Sequence, residues 1–241
     1  MPADFATHDR FDGWERAPEA AAALITRLGA RDILEVGSGA SPTLSAEFVR
    51  RHGLHYTTND ISEAELQRTD AGFQHLCLDF AGEVPPSRYH DSFDVVFSRM
   101  VNEHVRDGER YYRNIATVLR PGGVTFHWFS TLFALPFVVN RLMPESLAGP
   151  LLDTLVPSRN GRHRKFPAYY SWGRGPTRAM CERFDRIGFD VLEYTGYFGH
   201  RYYLHRLPWL HALEERKARW LARHPRAHLT SYAHVVLRKR P

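Results

Sequence analysis

Four acidic residues, a pair of glycines and one histidine carry the chemistry that the sequence offers. Glu35 stands two residues before Gly37 in Ile33-Leu34-Glu35-Val36-Gly37-Ser38-Gly39-Ala40-Ser41-Pro42. A strand that ends in such a turn lets the backbone approach a ligand closely, because glycine has no side chain in the way. Asp60 closes the next strand pattern, where a carboxylate suits two ribose hydroxyls. Asp79 closes the third, where a carboxylate suits an adenine amino group, and Phe80 beside it offers a ring to a purine. Glu103 and His104 follow the fourth strand pattern, at the mouth of the same site.

The turn lacks the third glycine of a dinucleotide fingerprint, since Pro42 holds that place. A carboxylate at position 35 would repel a phosphate and attract an ammonium. The pattern therefore points away from NAD and towards S-adenosylmethionine, whose amino-acid end carries an ammonium.

The elements that must position these groups alternate along the first 130 residues. Helix patterns cover Ala17 to Gly29, Pro42 to His52 with Ser41 as N-cap, and Gly108 to Leu119. Strand patterns cover Asp32 to Val36, His55 to Asn59, Gly72 to Leu78, Phe93 to Ser98 and Val124 to Phe129. Such alternation predicts an α/β fold with a doubly wound, mostly parallel sheet. Residues 131–176 read as an irregular, partly helical insertion after the fifth strand. Regular patterns return at Thr177 to Ile187, Phe189 to Tyr194, Pro208 to Arg223 and Ala233 to Leu237, with 197–230 a helical insertion before the last strand.

In family order, "ILEVGSGASP", "YTTNDIS", "LCLDF", "FDVVFSRMVNEHV" and "IATVLRPGGVTF" resemble the motifs of class I S-adenosylmethionine-dependent methyltransferases. "GFDVLEYTGY" and "AHVVLRKR" resemble that family's last two strands. The resemblance implies one domain over 1–241 with a seven-stranded sheet. Its last strand would be antiparallel and inserted beside the sixth, and the helical insertions would form a cap. It implies that Glu35, Gly37, Gly39 and Ala40 hold the methionine end of the cofactor. Asp60 and Ile61 would hold the ribose, Asp79 and Phe80 the adenine, and Ser98 and Arg99 would line the methyl-donor side. His104 is the candidate general base, with helix capping as the bland reading. His127 reads as a hydrogen-bonded core residue.

For the acceptor, Tyr169, Tyr170 and Trp172 could wall a ring, and Arg162, Arg164 and Lys165 could hold a phosphate or carboxylate. Trp14 could anchor a lid formed by Phe11 to Arg16. The fourth strand pattern ends in Phe97-Ser98-Arg99-Met100, without the Asn/Asp-Pro-Pro-Tyr/Phe loop that family members use on nucleic-acid bases; neither cysteine sits in a nucleophile pattern, and no paired acids suggest a divalent metal. Methyl transfer to oxygen of a small or medium acceptor is expected: a secondary metabolite, a sugar or glycan, or a lipid-linked intermediate. RNA methylation and cofactor binding without turnover are the rival readings.

Of 241 residues, 43% are hydrophobic and 24% charged, which is ordinary for a globular protein. Residues 1–130 hold 13 arginines and no lysine against 19 acidic residues, a balance of −6, and residues 131–241 carry +11. A basic half can meet acidic ligands, anionic membranes or RNA. Nucleic acid is not expected, because no separate RNA-binding module is evident. Leu204, Leu207, Leu210, Leu213 and Trp220 lie near helical spacing, read as core or cap packing in preference to a membrane-surface helix. With Cys77 and Cys181 forming no redox or metal pattern and no leader or spanning segment evident, a cytoplasmic protein is expected.

Overall fold

The computed structural model describes residues 5–131, 167–200 and 208–241. Strands β1 (Ala6–His8), β2 (Asp32–Val36), β3 (His55–Asp60), β4 (Gln74–Cys77), β5 (Phe93–Arg99), β6 (Leu119–Ser130), β7 (Phe189–Tyr197) and β8 (Tyr232–Lys239) form one sheet in the order β1-β7-β8-β6-β5-β2-β3-β4. Strand β8 runs antiparallel to both β6 and β7, and the other pairings are parallel. The last strand thus lies beside the preceding one, as the family resemblance implied. The helices are α1 (Gly13–Leu28), α2 (Ala46–His52), α3 (Glu63–Leu66), α4 (Gly108–Val118), α5 (Arg178–Arg186) and α6 (Pro208–Arg223).

Among the described residues the sheet has eight strands, not seven. Strand β1 pairs Ala6 with Thr195 and His8 with Tyr197 at one edge. Three residues are too few to show a period of two, so the sequence pattern passes over it.

Alternation along each strand builds a core on both faces. Ile33, Val95, Phe97 and Phe126 pack with Ala21 and Ile25 of α1 on one face. Leu34, Val96 and Phe129 pack with Tyr112 and Ile115 of α4 and Phe184 of α5 on the other. Each such buried Val, Leu, Ile or Phe side chain contributes roughly 2 kcal/mol of transfer free energy.

Helix α2 starts four residues later than its proline suggests. Ser45 is its N-cap and accepts from the Phe48 amide at 3.2 Å. Thr43 is held off the helix by Glu35, which accepts from its amide at 2.9 Å and from its hydroxyl at 2.5 Å. That tie outweighs the preference of Pro42 for a first helical position. Residues 120–123, just past the helix pattern of Gly108 to Leu119, form an irregularity within β6, whose register with β5 shifts between Phe93 and Val95.

Candidate active site

The carboxyl ends of β2, β3, β4 and β5 open onto a cavity of about 520 Å³. This size falls in the range of small-molecule sites, about 300 to 1,000 Å³. Its position beyond the strand ends is the usual ligand crevice of an open parallel sheet.

Gly37 follows β2 with φ of +70°, and a Cβ there would collide with Cγ2 of Val101. The turn is thus closed to any side chain on both conformational and steric grounds. Gly39, at φ +54°, donates its amide to Asp60 Oδ2 at 3.0 Å, while Ser62 donates to Asp60 Oδ1 at 2.9 Å. Asp60 therefore ties the glycine turn to the end of β3, and its carboxylate keeps acceptor capacity for further donors. Asp79, beyond β4, accepts from the Ala81 amide at 2.8 Å.

Of the ten residues expected to hold the cofactor, Gly37, Asp60, Ile61, Asp79 and Phe80 line the cavity. Ile61, 62% exposed, stands at its edge; Phe80 is buried and meets Tyr111 edge-on at 6.5 Å. Glu35, Gly39, Ala40, Ser98 and Arg99 do not line it. Glu35 is 2% exposed, and its carboxylate accepts from Thr43 and from the Tyr56 hydroxyl. Burial raises its pKa, and those hydrogen bonds together with the nearby charge of Arg99 pull the other way. Glu35 props the turn from behind. Ser98 and Arg99 cannot share a wall, because neighbours on a strand face opposite sides. Ser98 is fully buried and bonds Nδ1 of His127 at 2.7 Å. Arg99 lies on the other face, where its charge acts on Glu35 and Tyr56.

His104 lines the cavity, in a 3-10 turn over Asn102–His104. Its Nδ1 lies 3.0 Å from the Pro167 carbonyl. A carbonyl only accepts, so Nδ1 donates to it. His127, as expected of a core histidine, is fully buried between Ser98 and Thr125 Oγ1, the latter at 2.7 Å from Nε2. Burial lowers its pKa to about 3.

Tyr169 lines the cavity, and the Tyr169 and Tyr170 amides both donate to the Glu103 carbonyl, at 2.8 and 3.1 Å. Tyr170 and Trp172 do not line it. Tyr170 is 2% exposed and packs in the core. Trp172 packs against Tyr112 and Phe184, both at 5.5 Å, and lines a neighbouring cleft with Asp79 and Arg106. Aromatic rings in a basic stretch do not tell a wall from a core anchor. Arg162, Arg164 and Lys165 lie outside the described residues, as does the side chain of Trp14.

Asn59, Met100, Val101, Arg106, Tyr111 and Pro167 also line the cavity and were not singled out from the sequence. Tyr111 shares a helical period with Ile115 and Val118, which reads as core alone. Met100 sits at φ +57°, a strained position for a long side chain that no sequence pattern announces. Among the described residues, no group of three or more His, Cys, Asp or Glu could hold a metal ion.

Residues 34–127 match the family model described as "Methyltransferase domain". Residues 34–127 are thus similar to methyltransferase domains, and the chain has the fold of S-adenosylmethionine-dependent methyltransferases. A ubiquinone biosynthesis O-methyltransferase of Aeromonas salmonicida is 30% identical to this chain over 139 residues, 56% of each. One of the same name from Ralstonia nicotianae is 32% identical over 110 residues, 44% of each. The chain thus spans about half the length of the curated relatives it matches. In fold, it is similar to a putative sarcosine dimethylglycine methyltransferase of Galdieria sulphuraria, with a TM-score of 0.55 at 17% identity over 94% of this chain and 86% of that one. It is also similar to an S-adenosylmethionine-dependent methyltransferase of Mesorhizobium loti, with a TM-score of 0.52 at 18% identity over 92% of this chain and all of that one. No helix among the described residues is long and apolar enough to cross a membrane.

Proposed function

We propose that this chain moves a methyl group from S-adenosylmethionine to a hydroxyl oxygen of a small or medium acceptor. The observation that carries this reading is the meeting of Gly37, Asp60, Asp79 and His104 in one cavity. The donor set suits the cofactor. Asp60 and Asp79 offer acceptors to ribose hydroxyls and an adenine amine, and the bare backbone at Gly37 gives room for close approach. Glu35, Ser98 and Arg99 act through other residues, holding the turn and the strand end in place.

When bound, the cofactor supplies a methyl group on a positively charged sulfur, and the reaction is an in-line displacement there. The chain's own tasks are alignment and exclusion of water. Tyr169, Met100 and Val101 supply apolar walls beside the strand ends. His104, which lines the cavity and is oriented by the Pro167 carbonyl at its Nδ1, takes the proton that a hydroxyl acceptor must lose. Support for oxygen as the acceptor atom comes from that histidine and from relatives named as O-methyltransferases. Support for a single domain comes from the continuity of one sheet from β1 to β8.

The reading is tested by incubating the protein with methyl-labelled cofactor and panels of phenols, sugars and prenylated phenols. A labelled product heavier by one methylene, formed from a hydroxyl compound, is the expected result. Label in RNA alone would replace this reading with the nucleic-acid one.

A further inference from the structure

Helix α6 presents an apolar stripe outward. Trp209 is 65% exposed, and Leu213 and Trp220 are each 55% exposed. At 3.6 residues per turn, positions 209, 213, 216 and 220 fall within about 60° of arc. The helix is anchored by its other side, where Ala218 and Leu221 pack with Phe198 in a small separate cluster. Of the residues whose spacing reads as core or cap packing, Leu213 and Trp220 face outward, while Leu204 and Leu207 lie outside the described residues.

The charges around the stripe are sorted. Arg216, Arg219 and Arg223 are exposed and share or flank the apolar arc. The acids of α6 are elsewhere on the helix. Glu214 is mostly buried and turned to Lys217 and to the buried His200, at 3.5 Å from its Nε2. Glu215 lies 3.7 Å from Arg10 and 3.6 Å from His211. Arg226, just past the helix, adds another exposed cation.

The placement of α6 matters as well. It leads into β8, whose first residue Tyr232 pairs with Ser130 at the carboxyl end of β6. Phe198, under the helix, follows the end of β7, which runs parallel to β6 through their shared antiparallel partner β8. The helix thus sits at the end of the sheet onto which the cavity opens.

We propose that α6 is a docking helix for an anionic lipid surface. Tryptophan and leucine would lie at the boundary between headgroups and acyl chains, and the arginines would meet lipid phosphates. Charge complementarity selects this occupant over a second copy of the chain, which would set the arginines of one stripe against those of the other. This inference is independent of the acceptor proposed above. It would bring a membrane-borne substrate and the cavity to the same side of the molecule.

The test is co-sedimentation of the whole chain with vesicles of phosphatidylcholine alone and of phosphatidylcholine mixed with phosphatidylglycerol. Two multiple variants, W209S/W220S and R216Q/R219Q/R223Q, are run beside it, with thermal melts to check folding. The expected result is binding to the mixed vesicles only, weakened about tenfold or more by either variant at unchanged melting temperature. Tryptophan fluorescence should shift to the blue on mixed vesicles and not in W209S/W220S. The proposal is overturned if the unaltered chain ignores the mixed vesicles or the variants bind them equally. It is also overturned if the chain is a dimer in solution that W209S/W220S converts to monomer, or if single-stranded RNA displaces it from the vesicles at equal concentration of phosphate.

Discussion

Asp60 Oδ2 lies 3.0 Å from the amide nitrogen of Gly39, so one carboxylate joins the end of β3 to the turn after β2. The same group faces the cavity. Replacing Asp60 by alanine removes both roles. A hydrogen bond to a charged group contributes about 2 kcal/mol, so affinity for S-adenosylhomocysteine should drop about 30-fold or more. Asp60→Asn keeps the shape of the side chain and should lose less. Equal affinity of Asp60→Ala and the unaltered protein, by calorimetry, would remove Asp60 from the site.

Gly37→Ala places a methyl group against Val101 at a backbone angle that costs a side chain about 1 to 2 kcal/mol. Cofactor binding should weaken sharply while the sheet stays folded by circular dichroism. Adding Val101→Ala removes the collision but not the backbone strain, so the double variant should recover affinity only in part. Full recovery would show that φ at Gly37 is of no consequence.

Glu35 serves Thr43 and Tyr56 at once, and the three are buried together. Thr43→Val and Tyr56→Phe should each destabilise by about 1 to 3 kcal/mol, because each strips a partner from a buried carboxylate. Their costs should not add, since both act on one group. Urea titrations of the two single variants and the double variant measure this coupling.

His104→Ala should leave cofactor affinity within a factor of about two and slow transfer to a hydroxyl acceptor by roughly 100-fold or more. The slowing should shrink for an acceptor that is already ionised at the assay pH. Equal slowing for both acceptors would make His104 a positioning residue.

His127 is buried uncharged, with its folded pKa lowered to about 3 from an ordinary 6.5. The unfolded chain takes up a proton first as pH falls. The stability this site contributes is therefore whole above 6.5 and lost progressively between 6.5 and 3, about 2 kcal/mol of it by pH 5. Against His127→Gln, the unaltered protein should lose stability faster through this window. Parallel curves of stability against pH would contradict the assignment.

The parallel core was legible because buried strands read as apolar runs, as in "FDVVFS". The ends of elements were less legible. The start of α2 depends on a hydrogen bond from Thr43 to Glu35, eight residues back, which competes with the local cap. The lining of the cavity was legible where a motif residue sits after a strand, as with Gly37, Asp60 and Asp79. It was less so at Ser98 and Arg99, which are neighbours on one strand, face opposite sides and do not line it. Tyr170 and Trp172 differ from Tyr169 only in which way the chain turns over Glu103, and that turn is set by tertiary contacts.

The most direct measurement is a calorimetric titration of the purified protein with S-adenosylhomocysteine, with NAD as the control ligand. Saturable binding of the first at about micromolar concentration, and none of the second, is the predicted result. Binding of NAD, or of neither ligand, would contradict the assignment of the cavity beyond β2, β3 and β4 to S-adenosylmethionine.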